Sequence, residues 1–247
     1  MNADDVVTGL AEVTGQCPGQ RLLHARGSWV RGVFTAAPQG EPVPVVARLS
    51  GTRGGLDGHD ADSTDQGIAV RFPDWDLITF TAPVFFVRTA AELVGFLAAN
   101  PPPEPTAAPA GFLGLTYHSV HAFGLDGLGW ARLEWHPRVV ADPLDIEVAR
   151  GLAPDYLHRD LTAALPGALD LYARLPDPDD AVHDPTAEWR STTLIRLGAM
   201  ELLEIIDAPV PEPEFDPLRL PSGIQAPLDE LAAGRSAVYR AARARRG

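Results

Sequence analysis

The chain has 247 residues, 45% hydrophobic and 21% charged, the profile of an ordinary soluble globular protein long enough to bury one substantial core. A net charge of -13 repels phosphate backbones and no apolar run reaches membrane-spanning length, so neither a nucleic-acid reader nor an inserted membrane protein is indicated. Cys17 is the single cysteine, which excludes an internal disulfide, and the acidic start MNADDVVTGLAEVTG lacks the basic residues and long apolar core of a secretory signal, so the expected location is the cytoplasm.

In chain order, residues 3–14 are expected to form a short amphipathic helix with Val6, Leu10 and Val13 on one face and Asp4 and Asp5 at its N-terminal end. RLLHARGSWVRGVFT follows, with His24 just before an Ala-Arg-Gly that breaks into a strand over 28–35; a lone histidine there reads as structural or catalytic. VPVVARLSG supplies a second strand, 43–50, in which Arg48 and Ser50, two apart, face the same way. The Gly- and Asp-rich loop 51–65 reads as surface. GIAVRF (67–72) and the run 77–87 read as strands, 90–100 as a short helix, and the prolines after it as an extended linker.

TYHSVHAFGL and GWARLEWHP alternate polar and apolar residues around a Gly-bearing turn, which predicts a β-hairpin with strands 117–125 and 130–135. Its His118 and His121 are three apart and fall on opposite faces, a poor arrangement for a metal. A helix is expected over 154–165 and strands over 169–175 and 192–206, the last bent at Gly198; Asp177, Asp179 and Asp180 read as a solvated turn. Eight strands joined in succession by short or medium links predict a closed antiparallel barrel, which leaves no exposed edge.

Residues 208–227 are rich in proline and acidic side chains without periodicity and read as an extended arm. After it, Arg235 and Tyr239 stand four apart on an expected helix over 228–247, hence on one face. A guanidinium close to a phenol stabilises the phenolate, a hard anionic oxygen able to bind ferric iron. Arginines near a helix C-terminus also complement the helix dipole, so spacing alone leaves a plain surface tyrosine open as well.

From Phe215 to Tyr239 the run FDP, then L, GI, D, GR and Y resembles the haem-ligand segment of catalases, the known case of tyrosine-ligated haem. The resemblance makes Tyr239 the proximal iron ligand, Arg235 its partner in an R-x-x-x-Y motif, and Arg246 an arginine that meets a haem propionate. Arg21, His24, Ala25, Gly27, Gly32 and Phe34 are similar to the family's distal-histidine context, which implies a distal base at His24 and a propionate arginine at Arg21. Arg48 then corresponds to a further propionate arginine, Ser50 to a serine supporting the histidine, and Asp65 to an aspartate lining the access channel. His121 takes the place of a family histidine in a Y…H-x-F-x-L strand. Ser28-Trp29-Val30 depart from the small residues usual there.

Trp75, Asp76, Leu77, Pro83, Phe85 and Phe86 resemble the family run that leads from WDL to PVFF, with Phe85 at a distal aromatic position. The family's distal asparagine, however, falls at Phe80, and Thr81 and Ala82 replace the following Asn-Thr. Phenylalanine cannot donate the hydrogen bond that the amide gives peroxide. A drier distal pocket is expected, less suited to hydrogen peroxide and more open to apolar substrates.

Taken together the resemblance implies an α+β fold, an antiparallel eight-stranded catalase-type β-barrel with reduced helical additions. It forms one haem-binding domain over 1–247, with the barrel over about 20–206, an arm over 207–227 and the ligand helix over 228–247. The implied function is a haem b peroxidase that reduces hydrogen peroxide or organic hydroperoxides with an organic reductant and has weak catalase activity, His24 moving the proton between the peroxide oxygens. A hydroperoxide isomerase or biosynthetic haem oxidase on the same scaffold, or a non-catalytic haem-binding protein, are the alternatives. The reduced helical parts imply a monomer or homodimer.

Overall fold

The computed structural model describes residues 2–16, 19–52, 56–100 and 104–246. Cys17 and the proline run 101–103 of the expected linker lie outside the described residues. Eight strands carry the architecture: β1 (Gly27–Ala36), β2 (Val43–Gly51), β3 (Gln66–Arg71), β4 (Asp76–Phe80), β5 (Tyr117–Leu125), β6 (Gly129–Pro137), β7 (Gly167–Arg174) and β8 (Leu194–Ile206). Each pairs antiparallel with the next, and β8 returns to pair with β1, which closes an eight-stranded barrel. Among the described residues five α-helices are added, α1 (Ala3–Thr14), α2 (Ala90–Ala99), α3 (Ile146–Arg150), α4 (Tyr156–Ala164) and α5 (Glu230–Ala244), of which the short α3 was not foreseen from the sequence. Among the described residues no helix is long and apolar enough to cross a membrane.

Strand alternation decides what fills the barrel. On β2 the buried Val45, Ala47 and Leu49 point inward, joined by Ile68 and Val70 of β3 and Leu77 of β4. Phe34 meets Phe72 and Trp135 edge-to-face, at ring centroids 5.3 and 6.2 Å apart, and the Tyr117 hydroxyl donates to the Phe112 carbonyl at 2.8 Å. The interior is therefore packed core, and function is left to the outer wall.

The alternate residues of β2, β3 and β4 face outward and are covered by helices α1, α2 and α5. These helices share an apolar cluster in which Val6, Val7, Leu10 and Leu22 pack with Leu93, Val94 and Val238. The helix ends are well specified: Asn2 and Asp5 form a capping box on α1, Thr89 and Glu92 another on α2, and Asp229 caps α5 by accepting from the Ala232 amide at 2.9 Å.

Three expectations need correction. The strand expected over 77–87 stops at Phe80: Thr81 turns back so that its amide donates to the Gln66 carbonyl at 2.9 Å, Pro83 has no N–H to continue the ladder, and the Phe85 amide donates instead to the Pro185 carbonyl at 2.8 Å. The loop 51–65 is not all surface, because Ala61 and Ser63 are buried and Asp60 accepts from Arg26 and from the Leu157 amide. The arm is extended but anchored: buried Asp76 accepts from Arg71, Arg219 and the Asp216 amide, Phe215 stacks on Trp29 at 5.8 Å, and Ile224–Gln225 add a short pairing to β5. The bend expected in the last strand coincides with a register irregularity of β8 between Arg196 and Gly198.

Candidate active site

A cavity of about 390 Å3 lies between the outer face of β2–β4 and the helices, within the range of small-ligand and cofactor sites. Antiparallel pairing sets its floor as two rows, Ser50–Gly67–Phe80 and Arg48–Ala69–Ile78, each residue directly opposite the next. All six line the cavity, as do Arg21, His24, Phe85, Arg235, Tyr239 and Arg246. Of the residues singled out in the sequence, these and Asp65 line the cavity, whereas His121 does not.

His24 lies on the first row. Its Nδ1 is 3.0 Å from the Ser50 Oγ, and a Cβ added to Gly67 would stand 2.8 Å from its Cε1, so the ring rests on the bare backbone of β3. The backbone at His24 has φ 55°, a left-handed conformation that costs a non-glycine residue about 1 kcal/mol. Arg48 holds that turn: its Nη2 donates to the carbonyls of His24 at 2.9 Å and Ala25 at 3.1 Å. Burial first, then the Arg48 charge, lowers the His24 pKa from 6.5 to about 4 against an opposing hydrogen bond to Ser50, so the ring is neutral at pH 7.

Across the cavity, α5 presents Tyr239 and Arg235 on one face, the guanidinium carbon 5.8 Å from the phenol ring centroid. Arg235 Nη1 lies 2.9 Å from His121 Nε2, and His121 Nδ1 lies 2.8 Å from Asp229 Oδ2. Since an arginine only donates and a carboxylate only accepts, His121 is neutral, protonated on Nδ1. Burial lowers its pKa to about 4, with the Asp229 hydrogen bond opposing and Arg235 reinforcing. A pairing irregularity on β5 between His118 and Ala122 lets Val120 line the cavity while the next residue reaches Asp229. His118 ends elsewhere, on Glu134, whose carboxylate also takes Arg174 and His136; those bonds outweigh burial and hold Glu134 below the usual carboxylate range.

At one end Arg21, Arg48 and Arg246 gather around a single carboxylate, Glu212, which is 2.7 Å from Arg21. Burial and then Arg21 lower the Arg48 pKa, without discharging a guanidinium at neutral pH. Arg21 Nη2 is buried and, despite that short contact, has no properly directed hydrogen bond. Asp229 and Glu212 were not singled out in the sequence. Their partners lie 108 positions away in one case and on the far side of the barrel sequence in the other, and a lone acid in a Pro-rich or helix-start context signals nothing beyond a cap or a loop. Among the described residues no group of three or more His, Cys, Asp and Glu is arranged to hold a metal ion.

No family model matches the chain. Individual proteins do. A catalase-related peroxidase of Mycolicibacterium paratuberculosis is 28% identical over 296 residues, covering 98% of this chain and 93% of that one. A catalase-related peroxidase of Synechococcus elongatus is 23% identical, over 96% and 86% of the two chains. A catalase of Pseudomonas syringae is 26% identical over 89% of this chain, which spans only 56% of that protein's length. In three dimensions a fungal catalase superposes on 98% of this chain with a TM-score of 0.77 at 19% identity, and 62% of that chain is covered. The closed barrel is thus of the catalase type, and over nearly its full length the chain is similar to small catalase-related peroxidases.

Proposed function

We propose that this chain is a haem b-dependent peroxidase that reduces hydrogen peroxide or organic hydroperoxides at the expense of an organic reductant, with weak catalase activity. The observation that carries the reading is the convergence on one cavity of a neutral His24 on the barrel wall and a Tyr239–Arg235 pair on the helix wall.

The donor set fits haem. Two propionates match an arginine cluster that holds three cations, one protein carboxylate and a buried Arg21 nitrogen lacking a directed partner. Tyr239 offers an oxygen ligand on one wall, and the apolar Phe80, Val120, Leu231 and Val238 line the space between. One contact has to yield: Phe85 reaches Arg235 at 5.6 Å, and a flat ring between the walls would turn it aside. Phe85 belongs to the irregular stretch after β4, where no ladder fixes it.

Haem bound there would supply the iron at which the peroxide O–O bond is cleaved. In the tautomer whose Nδ1–H donates to Ser50 Oγ, His24 keeps its Nε2 lone pair for the proton of one peroxide oxygen and returns that proton to the departing one. Its low pKa keeps the base unprotonated, and the Arg48 clamp on its carbonyls holds the ring in register with Ser50. Arg235 keeps a fixed positive charge beside the Tyr239 ring, held by His121 and Asp229. Phe80, at the place of the family's distal asparagine, adds no donor beside His24, which favours an organic reductant over a second peroxide.

The test is the absorption spectrum of the protein expressed with ample haem, before and after one equivalent of peroxide. A high-spin ferric spectrum with a tyrosinate signature, altered by peroxide and lost in Tyr239→Phe, is expected. A protein that retains no haem refutes the reading.

A further inference from the structure

A second cavity, of about 570 Å3, lies between the start of β1, the end of β8 and the arm. Arg21, Arg48 and Arg246 line it and the first cavity alike, so the arginine cluster is the partition between the two. Trp29 stands on β1 directly opposite Arg48, whose guanidinium carbon lies 5.9 Å from the indole centroid, and Phe215 stacks on the same ring. Ser28, one residue earlier, takes the other face of the strand. Its Oγ lies 2.8 Å from Nδ1 of His158, an exposed residue of α4. Ser28, Trp29 and His158 all line the second cavity, and none of them has a part in the peroxide step.

The lining selects a ligand by its chemistry. Ser28 takes Nδ1 of His158 and leaves Nε2 for whatever enters; that nitrogen donates in one tautomer and accepts in the other. A hydroxyl matches either state, because it both donates and accepts. Leu56, Ile205 and Ile206 add apolar surface, which with the indole of Trp29 suits a flat ring better than a polyol. Charge decides the rest. Asp207 and Glu212 together with two haem propionates would set four carboxylates against the three guanidiniums, so a further anion is disfavoured and a neutral molecule is taken.

Resting on the peroxidase reading above, we infer that the second cavity is the docking site of the reductant, a neutral hydroquinone-type diol whose hydroxyl bonds to His158 and whose ring lies against Trp29. The reductant then never shares the cavity of His24, and the arginine partition with its indole neighbour is what stands between the two. The turnover balances: the hydroquinone loses two electrons and two protons and becomes the quinone, while the peroxide O–O bond takes up both and gives two waters, or an alcohol and water.

The probe is resorcinol, which has the same ring and two hydroxyls but cannot form a quinone. Saturation-transfer NMR reads its binding to the haem-loaded protein without turnover, and steady-state kinetics read hydroquinone and hydrogen peroxide separately, for the native chain, His158→Ala and Trp29→Leu. Resorcinol should bind the native protein and compete with hydroquinone but not with peroxide. His158→Ala should raise the KM for hydroquinone roughly tenfold relative to that for peroxide, the loss of one hydrogen bond, and weaken resorcinol to match. Trp29→Leu should weaken resorcinol as well, and His158→Ala, at an exposed position, keeps the test decisive if that variant does not fold. Retained haem with no resorcinol binding, with resorcinol binding untouched by His158→Ala, or with the two KM values moving together overturns this proposal alone. So does a lower thermal midpoint with KM unmoved, which would make the Ser28–His158 contact a structural tie between β1 and α4. Absence of haem overturns the peroxidase reading and this proposal with it.

Discussion

Acidification should destabilise this protein through His121 in a window where carboxylates are still ionised. The ring is 2% exposed, and burial brings its pKa from 6.5 to about 4 despite the Asp229 hydrogen bond. Below pH 6.5 the unfolded chain therefore binds a proton that the folded chain refuses until about pH 4, so stability is present above 6.5 and lost as pH falls. At about 1.4 kcal/mol per pH unit the full loss is about 3 kcal/mol, of which about 2 kcal/mol has gone by pH 5. Against a total of roughly 5–15 kcal/mol that is a large share. His24 titrates in the same window, so the effect is isolated with His121→Gln, which cannot titrate yet keeps an acceptor for Arg235 and a donor for Asp229. Urea unfolding of both proteins at pH 7.5, 6 and 5 is the assay. The gap in stability should move by about 2 kcal/mol in favour of the variant between the first and last pH. Parallel profiles would show that His121 takes up its proton in the folded state as readily as in water, and would refute the neutral ring wedged between Arg235 and Asp229.

Two further substitutions test the two walls. Gly67→Ala places a methyl 2.8 Å from His24 Cε1 and pushes the ring off Ser50; peroxidase activity should fall by roughly 10–100-fold with little change in thermal midpoint, and an unaffected rate would mean the ring does not rest there. Asp229→Ala removes both the cap of α5 and the acceptor for His121, at about 2–4 kcal/mol, seen as a drop of roughly 5–15 °C in calorimetry; Asp229→Asn keeps the cap and should recover only part of that loss.

The barrel was legible because its strands announce themselves locally: alternation in 43–50, the β-hairpin turn after Leu125, and glycine at the bend of the last strand all act over a few residues. The strand assigned over 77–87 overran because FTAPVFF is as apolar as a strand, and only Pro83 and the Thr81 turn, which needs Gln66 beside it, end the ladder. Candidate residues were found through motif resemblance, yet what each touches was not. Arg48 could be placed near the site, but its hold on the His24 and Ala25 carbonyls depends on how the chain folds back between residues 25 and 48. Asp229 and Glu212 were invisible for the same reason: a carboxylate acquires meaning from a partner that only tertiary structure supplies.

The ring of strands follows the sequence around the barrel without a crossover, and of its eight seams β1 against β8 joins the elements most remote in the chain. During synthesis β1 waits with one edge bare until β8 is made, an open template for pairing with a neighbouring nascent chain. Helix α5 emerges later still, and with it the Tyr239 wall. Biogenesis therefore contains a long interval in which the His24 wall exists and its opposite does not. High contact order of this kind slows folding. Recombinant yield should accordingly respond more to temperature and translation rate than to core substitutions far from that seam.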